Sequence, residues 1–238
     1  YVDAVSGKTF SCISPSDGTC LARIAECESA DVELAVAAAR RAFDAGVWSE
    51  ASPVHRKKTL QKFARLIEQH AEELALLESL DMGKPVADAL SIDVSASVRC
   101  LDWTAEAIDK VYGEIAPTPQ HELGLITREP LGIIAAIVPW NFPLLMATWK
   151  FAPALAAGNS VILKPSEKSP LSAIRIAALA LEAGIPAGVF NVLPGFGKGA
   201  GEPLALHMDV DGLVFTGSTG VGKHLLQCAG RSNMKRAY

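Results

Sequence analysis

Residues 133–169 read IIAAIVPWNFPLLMATWKFAPALAAGNSVILKPSEKS, and this stretch decides the fold. Ile133 to Val138 is an apolar run without polar alternation, bounded by Gly132 and Pro139. Such a run suggests a strand buried on both faces. Asn159 to Leu163 is a second run of the same kind. Between them Leu144 to Ala157 has helix length and stops at Gly158. Two parallel strands need such a crossover, so the stretch is a βαβ unit. Asn141, Lys164 and Glu167 lie at the two strand ends. Ligands of open parallel sheets sit at the carboxyl ends of strands, which makes these three the first candidate site residues.

Working outward, Lys8 to Ile13 and Thr19 to Ala25 are strand-like and flank the turn cluster Ser14–Gly18. A helix follows with Ser29 as N-cap and Val32, Val36, Ala39 and Phe43 on one face, and Gly46 ends it. Ser52-Pro53 starts the next helix, Glu72 to Leu80 forms another, and Val86 to Tyr112 is mostly helical. Gly113 to Glu129, with Pro117 and Pro119 before alternating His121, Leu123, Leu125 and Thr127, reads as a β-hairpin. It is either an arm that pairs with another subunit or a surface hairpin with no partner. Beyond the central unit, Ser169-Pro170 caps a helix to Glu182, and Val189 to Leu193 is a strand. Ala200 to His207 is helical, Leu213 to Thr216 is a strand, Lys223 to Ala229 is a helix, and a strand starts near Asn233. The second half is therefore a doubly wound α/β sheet.

The chain has 238 residues, half of them hydrophobic, enough for a sizeable core. A net charge of -4 argues against nucleic acid, which needs a basic face. No apolar run reaches the length of a membrane span. The five cysteines are odd in number and contain no C-x-x-C, so no disulfide framework or zinc site is indicated, and a reducing cytoplasmic setting fits.

Two glycine-rich turns invite a nucleotide reading. Gly217 to His224 is G-S-T-G-V-G-K-H, one residue short of a P-loop, because His224 stands where a magnesium-holding hydroxyl belongs. Gly195, Gly197, Gly199 and Gly201 give G-x-G-x-G rather than G-x-G-x-x-G. On their own these glycines are equally well tight-turn residues.

Together, Pro139-Trp140-Asn141-Phe142-Pro143, Lys164-Pro165-Ser166-Glu167 and Phe215-Thr216-Gly217-Ser218-Thr219 resemble the NAD(P)-dependent aldehyde dehydrogenase superfamily. Leu80 to Pro85 and Glu129 to Gly132 extend the resemblance over nearly the whole chain. Glu106 to Glu114 and Ser232 to Arg236 are similar to bacterial γ-glutamyl-γ-aminobutyraldehyde dehydrogenases of polyamine breakdown.

The resemblance implies a Rossmann-like doubly wound parallel sheet with an N-terminal strand/helix segment. It implies an NAD-binding domain over 1–112 and 131–238 and an oligomerisation hairpin over 113–130, in a homodimer or homotetramer. Asn141 would donate to the oxyanion formed when a thiolate attacks the aldehyde. Lys164 and Glu167 would hold the adenosine ribose, with Glu167 favouring NAD over NADP. Val138, Pro139, Trp140 and Phe215 would line the cofactor cleft. Gly195, Gly197 and Gly217 would let the cofactor approach, Ser218 would stand by the pyrophosphate, and Val221 would wall the adenine. Phe142, Met146 and Trp149 would line an aldehyde tunnel, although their helical spacing also suits a core-facing stripe. Asp81 resembles a residue near a monovalent-cation site.

The family's nucleophilic cysteine and its glutamate motif have no counterpart among these residues. The expectation is an N-terminal, truncated half lacking the catalytic domain and inactive by itself. The alternative is a non-catalytic dinucleotide-binding or oligomerisation module.

Overall fold

The computed structural model describes residues 1–238. Strands β1 (Thr9–Ile13) and β2 (Cys20–Ala25) form an antiparallel hairpin around the expected turn. Helix α1 (Ser29–Asp44) follows. Its N-cap is Glu28, one residue before the expected Ser29. The Asp31 carboxylate accepts from the Glu28 N–H at 2.8 Å while the Glu28 side chain accepts from the Asp31 backbone, closing a capping box that an isolated serine does not match.

Helices α2 (Pro53–Gln69) and α3 (Ala71–Met82) come next, and Ser52 caps α2 as expected, accepting from the His55 N–H. The long helical stretch is broken into α4 (Val86–Asp88), a π-helical segment (Ala89–Val94), α5 (Ser95–Ala107) and one 3-10 turn (Ile108–Lys110). Strands β3 (Glu114–Ala116) and β4 (Gly124–Ile126) pair antiparallel as a two-stranded sheet of their own, which is the anticipated hairpin.

The main sheet holds β5 (Ile133–Ile137), β6 (Ser160–Lys164), β7 (Phe190–Val192), β8 (Gly212–Phe215) and β9 (Arg236–Ala237). All neighbours are parallel, in the order β7-β6-β5-β8-β9. The chain runs outward from β5 to β7, then returns to the other side of β5 as β8. That reversal is a topological switch point between β5 and β8. The connecting helices are α6 (Pro143–Ala156), α7 (Leu171–Ala183), α8 (Glu202–Leu206, preceded by a π turn at Gly197–Gly201) and α9 (Thr219–Arg231).

All residues of β5 and β6 are buried, and β5 shows why alternation was absent. Ile134, Ala136 and Val138 pack into one core with α2, α5, α6 and α7, while Ile133, Ala135 and Ile137 pack into a second with α1, α8 and α9. Each strand residue thus meets a helix layer on its own face. Trp48, fully buried, donates its indole N–H to the Leu155 carbonyl at 2.8 Å, tying the segment between α1 and α2 to the end of α6. The start of β5 is held by two side chains. Asn159 Oδ1 accepts from the Leu131 and Gly132 N–H groups, and Asp211 Oδ2 accepts from the Ile133 N–H at 2.7 Å.

Candidate active site at the strand ends

The carboxyl ends of β5, β6, β7 and β8 carry most of the predicted residues, so one edge of the sheet gathers Val138–Phe142, Lys164–Glu167, Gly195–Gly197 and Phe215–Ser218. Hydrogen bonds fix these turns to one another. The Val138 N–H donates to the Lys164 carbonyl at 3.2 Å, and the Thr216 N–H to the Ile137 carbonyl at 3.2 Å. Ser169 does not cap α7 as expected. Its hydroxyl donates to the Trp140 carbonyl at 3.3 Å and so joins the turn after β6 to the turn after β5.

Lys164 is the last residue of β6, and only 5% of its side chain is exposed. Its Nζ stands 3.5 Å from Glu167 Oε2. Burial pushes the ammonium below its usual range, and Glu167 pulls it partly back. A buried donor beside a carboxylate one turn further on suits a ligand with adjacent hydroxyl groups, the lysine giving protons and the carboxylate accepting them.

Helix α9 opens onto the same edge. Its N-cap is Ser218, whose Oγ accepts from the Val221 N–H at 3.4 Å, and Gly217 to Val221 are exposed. The helix starts four residues earlier than Lys223, where periodicity placed it, because this cap stabilises the first turn. Unpaired N–H groups at the start of a 13-residue helix favour phosphate. Space for a ligand exists there, since a Cβ built on Gly197 or Gly220 would meet nothing within 4 Å.

Gly195 and Gly217 have packing reasons of their own. A Cβ at Gly195 would lie 2.6 Å from the Cys27 carbonyl oxygen, and one at Gly217 would lie 2.5 Å from the Phe215 ring. Phe215 itself is half-buried against the second core. Asn141 is exposed at the rim. Phe142, Met146 and Trp149 separate in role. The Lys84 ammonium sits over the Phe142 ring at 3.7 Å, Met146 is half-buried against the first core, and Trp149 is exposed. Beside this edge, between the β1–β2 hairpin and the two turns, lies a cleft of ≈ 370 Å³ lined by Phe10, Asp81, Trp140, Glu167, Lys168 and Phe196.

Sequence reasoning did not single out Glu78. It is fully buried on α3, and its Oε1 accepts from the Leu144 N–H at 3.0 Å and from the Ser172 hydroxyl at 2.5 Å. Its Oε2 has no partner. Burial raises its pKa to about 7, and the Asp93 charge adds to the rise. Asp81, one turn on, accepts from the Leu171 N–H at 2.7 Å and from the Cys12 thiol at 2.7 Å, and burial raises it to about 6. An acidic pair at i and i+3 was the available signal. The structure also brings Glu202, His224 and Cys228 together, of which only the last two share a helix.

The profile of the Aldehyde dehydrogenase family matches residues 1–238, the whole chain. The chain belongs to the aldehyde dehydrogenase family. This aldehyde dehydrogenase chain is 58% identical over 238 residues to the NADP/NAD-dependent aldehyde dehydrogenase PuuC of Escherichia coli (strain K12), covering 100% of this chain and 48% of that protein. It superposes with TM-score 0.98 on the gamma-glutamyl-gamma-aminobutyraldehyde dehydrogenase from Burkholderia cenocepacia J2315, at 62% identity, over 99% of this chain and 48% of that one. A mutant of the P. syringae AldA indole-3-acetaldehyde dehydrogenase in complex with NAD+ and IAA gives TM-score 0.99 at 63% identity, over 100% of this chain and 48% of that one. The chain spans about half the length of the curated relatives it matches. Its α/β fold with a parallel sheet is that of the matching part of these structures. No helix is long and apolar enough to cross a membrane.

Proposed function

We propose that this chain is the cofactor-binding part of an NAD-dependent aldehyde dehydrogenase that oxidises an aminoaldehyde or acylaminoaldehyde to the carboxylic acid in the cytoplasm. The observation that carries the reading is the buried Lys164 beside Glu167 at the end of β6, on the same carboxyl-end edge of the sheet as the turn from β8 into α9. Lys164 and Glu167 would hold the adenosine ribose, and the first turn of α9 with Ser218 would hold the pyrophosphate. Val221, exposed on α9, would cover the adenine. The bound dinucleotide supplies a hydride acceptor. Asn141 would direct its amide at the aldehyde oxygen as negative charge develops there. The substrate class rests on the likeness to the gamma-glutamyl-gamma-aminobutyraldehyde dehydrogenase. The preference for NAD rests on Glu167, whose carboxylate would repel a 2′-phosphate, although the PuuC relative is by name NADP/NAD-dependent.

Within these 238 residues no thiol has the environment of a nucleophile. Burial raises the pKa of Cys12, Cys27, Cys100 and Cys228, with Cys27 reaching about 12, whereas an attacking thiol needs a lowered one. Cys20 is exposed on β2, in the N-terminal hairpin. The reading therefore has the nucleophile and the general base in a further part of the protein. The chain by itself would bind NAD+ without producing NADH, the behaviour of a binding module.

The test has two arms. Calorimetric titration of the chain should show NAD+ binding that Lys164→Ala weakens, and absence of binding would overturn the assignment. In the complete enzyme, Asn141→Ala should lower kcat by a factor on the order of a hundred or more while leaving NAD+ affinity nearly unchanged. Equal losses in both would remove Asn141 from its role.

A further inference from the structure

Glu202 opens α8, and His224 and Cys228 lie one turn apart on α9, which packs against it. His224 Nε2 is 3.6 Å from Glu202 Oε1 and 3.7 Å from Cys228 Sγ. All three ligand atoms fall within 4.8 Å of one another. A tetrahedral zinc ion with its usual bond lengths separates a thiolate sulfur from an imidazole nitrogen by about 3.6 Å, and that nitrogen from a carboxylate oxygen by about 3.4 Å. Two of the three separations are therefore already within a few tenths of an ångström of those around such an ion. Two ligands at i and i+4 on one 13-residue helix are held rigidly, while the glutamate can swing in from the neighbouring element.

The geometry points to a divalent transition-metal site of the zinc class at Glu202, His224 and Cys228, with water completing the fourth position. The donor set of one thiolate, one imidazole and one carboxylate suits zinc and disfavours magnesium or calcium, which take oxygen ligands. The side chains of His224 and Glu202 are 44% and 32% exposed, which gives an ion a way in, and Cys228 forms the buried floor. The positive charges of Arg231 and Lys235 act on Cys228 and favour its thiolate, the form a metal takes, while the Lys235 ammonium itself is held by the Ala205 carbonyl and the Ser232 hydroxyl. An ion here would pin α8 to α9. The assignment is independent of the cofactor reading, since it needs only these three side chains.

The experiment is a titration of the reduced, metal-free chain with Zn²⁺, read by calorimetry and by competition with a chromophoric chelator. A parallel titration with Co²⁺ is read by optical absorption. One Zn²⁺ per chain is expected, with an affinity that His224→Ala and Cys228→Ser each lower on the order of tenfold or more and that Cys20→Ser leaves unchanged. The cobalt form should show a thiolate charge-transfer band that Cys228→Ser abolishes. Should Cys228→Ser fail to fold, His224→Ala and the cobalt band of the unaltered chain decide. No stoichiometric Zn²⁺ binding, binding that survives His224→Ala, or a cobalt complex without the thiolate band overturns the site. In that case the cluster is only an ion pair beside a thiol hydrogen bond.

Discussion

Glu78 and Asp81 stand three residues apart on α3, and each accepts from the first turn of a different helix. Glu78 takes the Leu144 N–H of α6 at 3.0 Å, and Asp81 takes the Leu171 N–H of α7 at 2.7 Å. The turns just before those helices carry Asn141 and Glu167. One helix thus fixes the spacing of the two candidate site turns, and carboxyl groups at helix N-termini are favourable there.

Glu78 makes stability depend on pH. Its folded pKa is raised, to about 7 from an ordinary 4.5, so the folded chain holds a proton that the unfolded chain releases. The stabilisation is complete below the unfolded value and is lost as pH rises through about 7. The shift corresponds to roughly 3 kcal/mol. Glu78→Gln keeps an acceptor for Leu144 and Ser172 without the charge. Urea unfolding at about pH 5 and about pH 8 should show the unaltered chain losing stability relative to the variant; parallel pH profiles would sink the idea. Asp81, raised to about 6, adds a slope of the same sign.

Asp81→Ala leaves the Leu171 N–H and the Cys12 thiol without their acceptor in a buried setting. A loss of about 1–3 kcal/mol is expected in urea unfolding. A change within experimental error would mean that water replaces the carboxylate at no cost.

Glu167→Ser removes the carboxylate from the edge where a 2′-phosphate would lie. The affinity for NADP+ relative to NAD+ should rise roughly tenfold, equivalent to about 1.4 kcal/mol. Titration of both cofactors, followed by fluorescence of the exposed Trp140, reads the ratio. If the ratio stays put, cofactor choice lies with another group.

The β3–β4 hairpin exposes Ile115, Leu123 and Leu125 at 73%, 70% and 65%, an apolar set that a partner edge would cover. Leu125→Glu should shift the sedimentation of the chain toward monomer. A monomeric unaltered chain would end the reading of this segment, 113–130, as an oligomerisation arm.

Much of this architecture was legible because its causes are local. The unbroken apolar runs of β5 and β6, the Ser52-Pro53 start of α2 and the turn cluster between β1 and β2 each depend on a few neighbouring residues. The motif-bearing turns at Asn141, Lys164 and Ser218 were legible for the same reason, since each follows a strand. Errors fell where a short-range rule met a long-range partner. Ser169 preceded a helix and looked like its cap, yet Asp81, far away in sequence, supplies the acceptor. Gly195 also has a packing role that its motif does not reveal, because the Cys27 carbonyl requires a residue without a Cβ there.

The sequence by itself determined the strands, most helices and the residue types at each strand end, because hydrophobic period, capping and turn chemistry act over a few residues. Only the tertiary structure decided the strand order β7-β6-β5-β8-β9, and with it which turns share an edge. It alone brought Glu78 and Asp81 to the starts of α6 and α7 and Glu202 beside His224 and Cys228. These pairings join residues with no local relationship in the chain, and they exist only because both faces of one sheet are closed by helices packed at fixed positions.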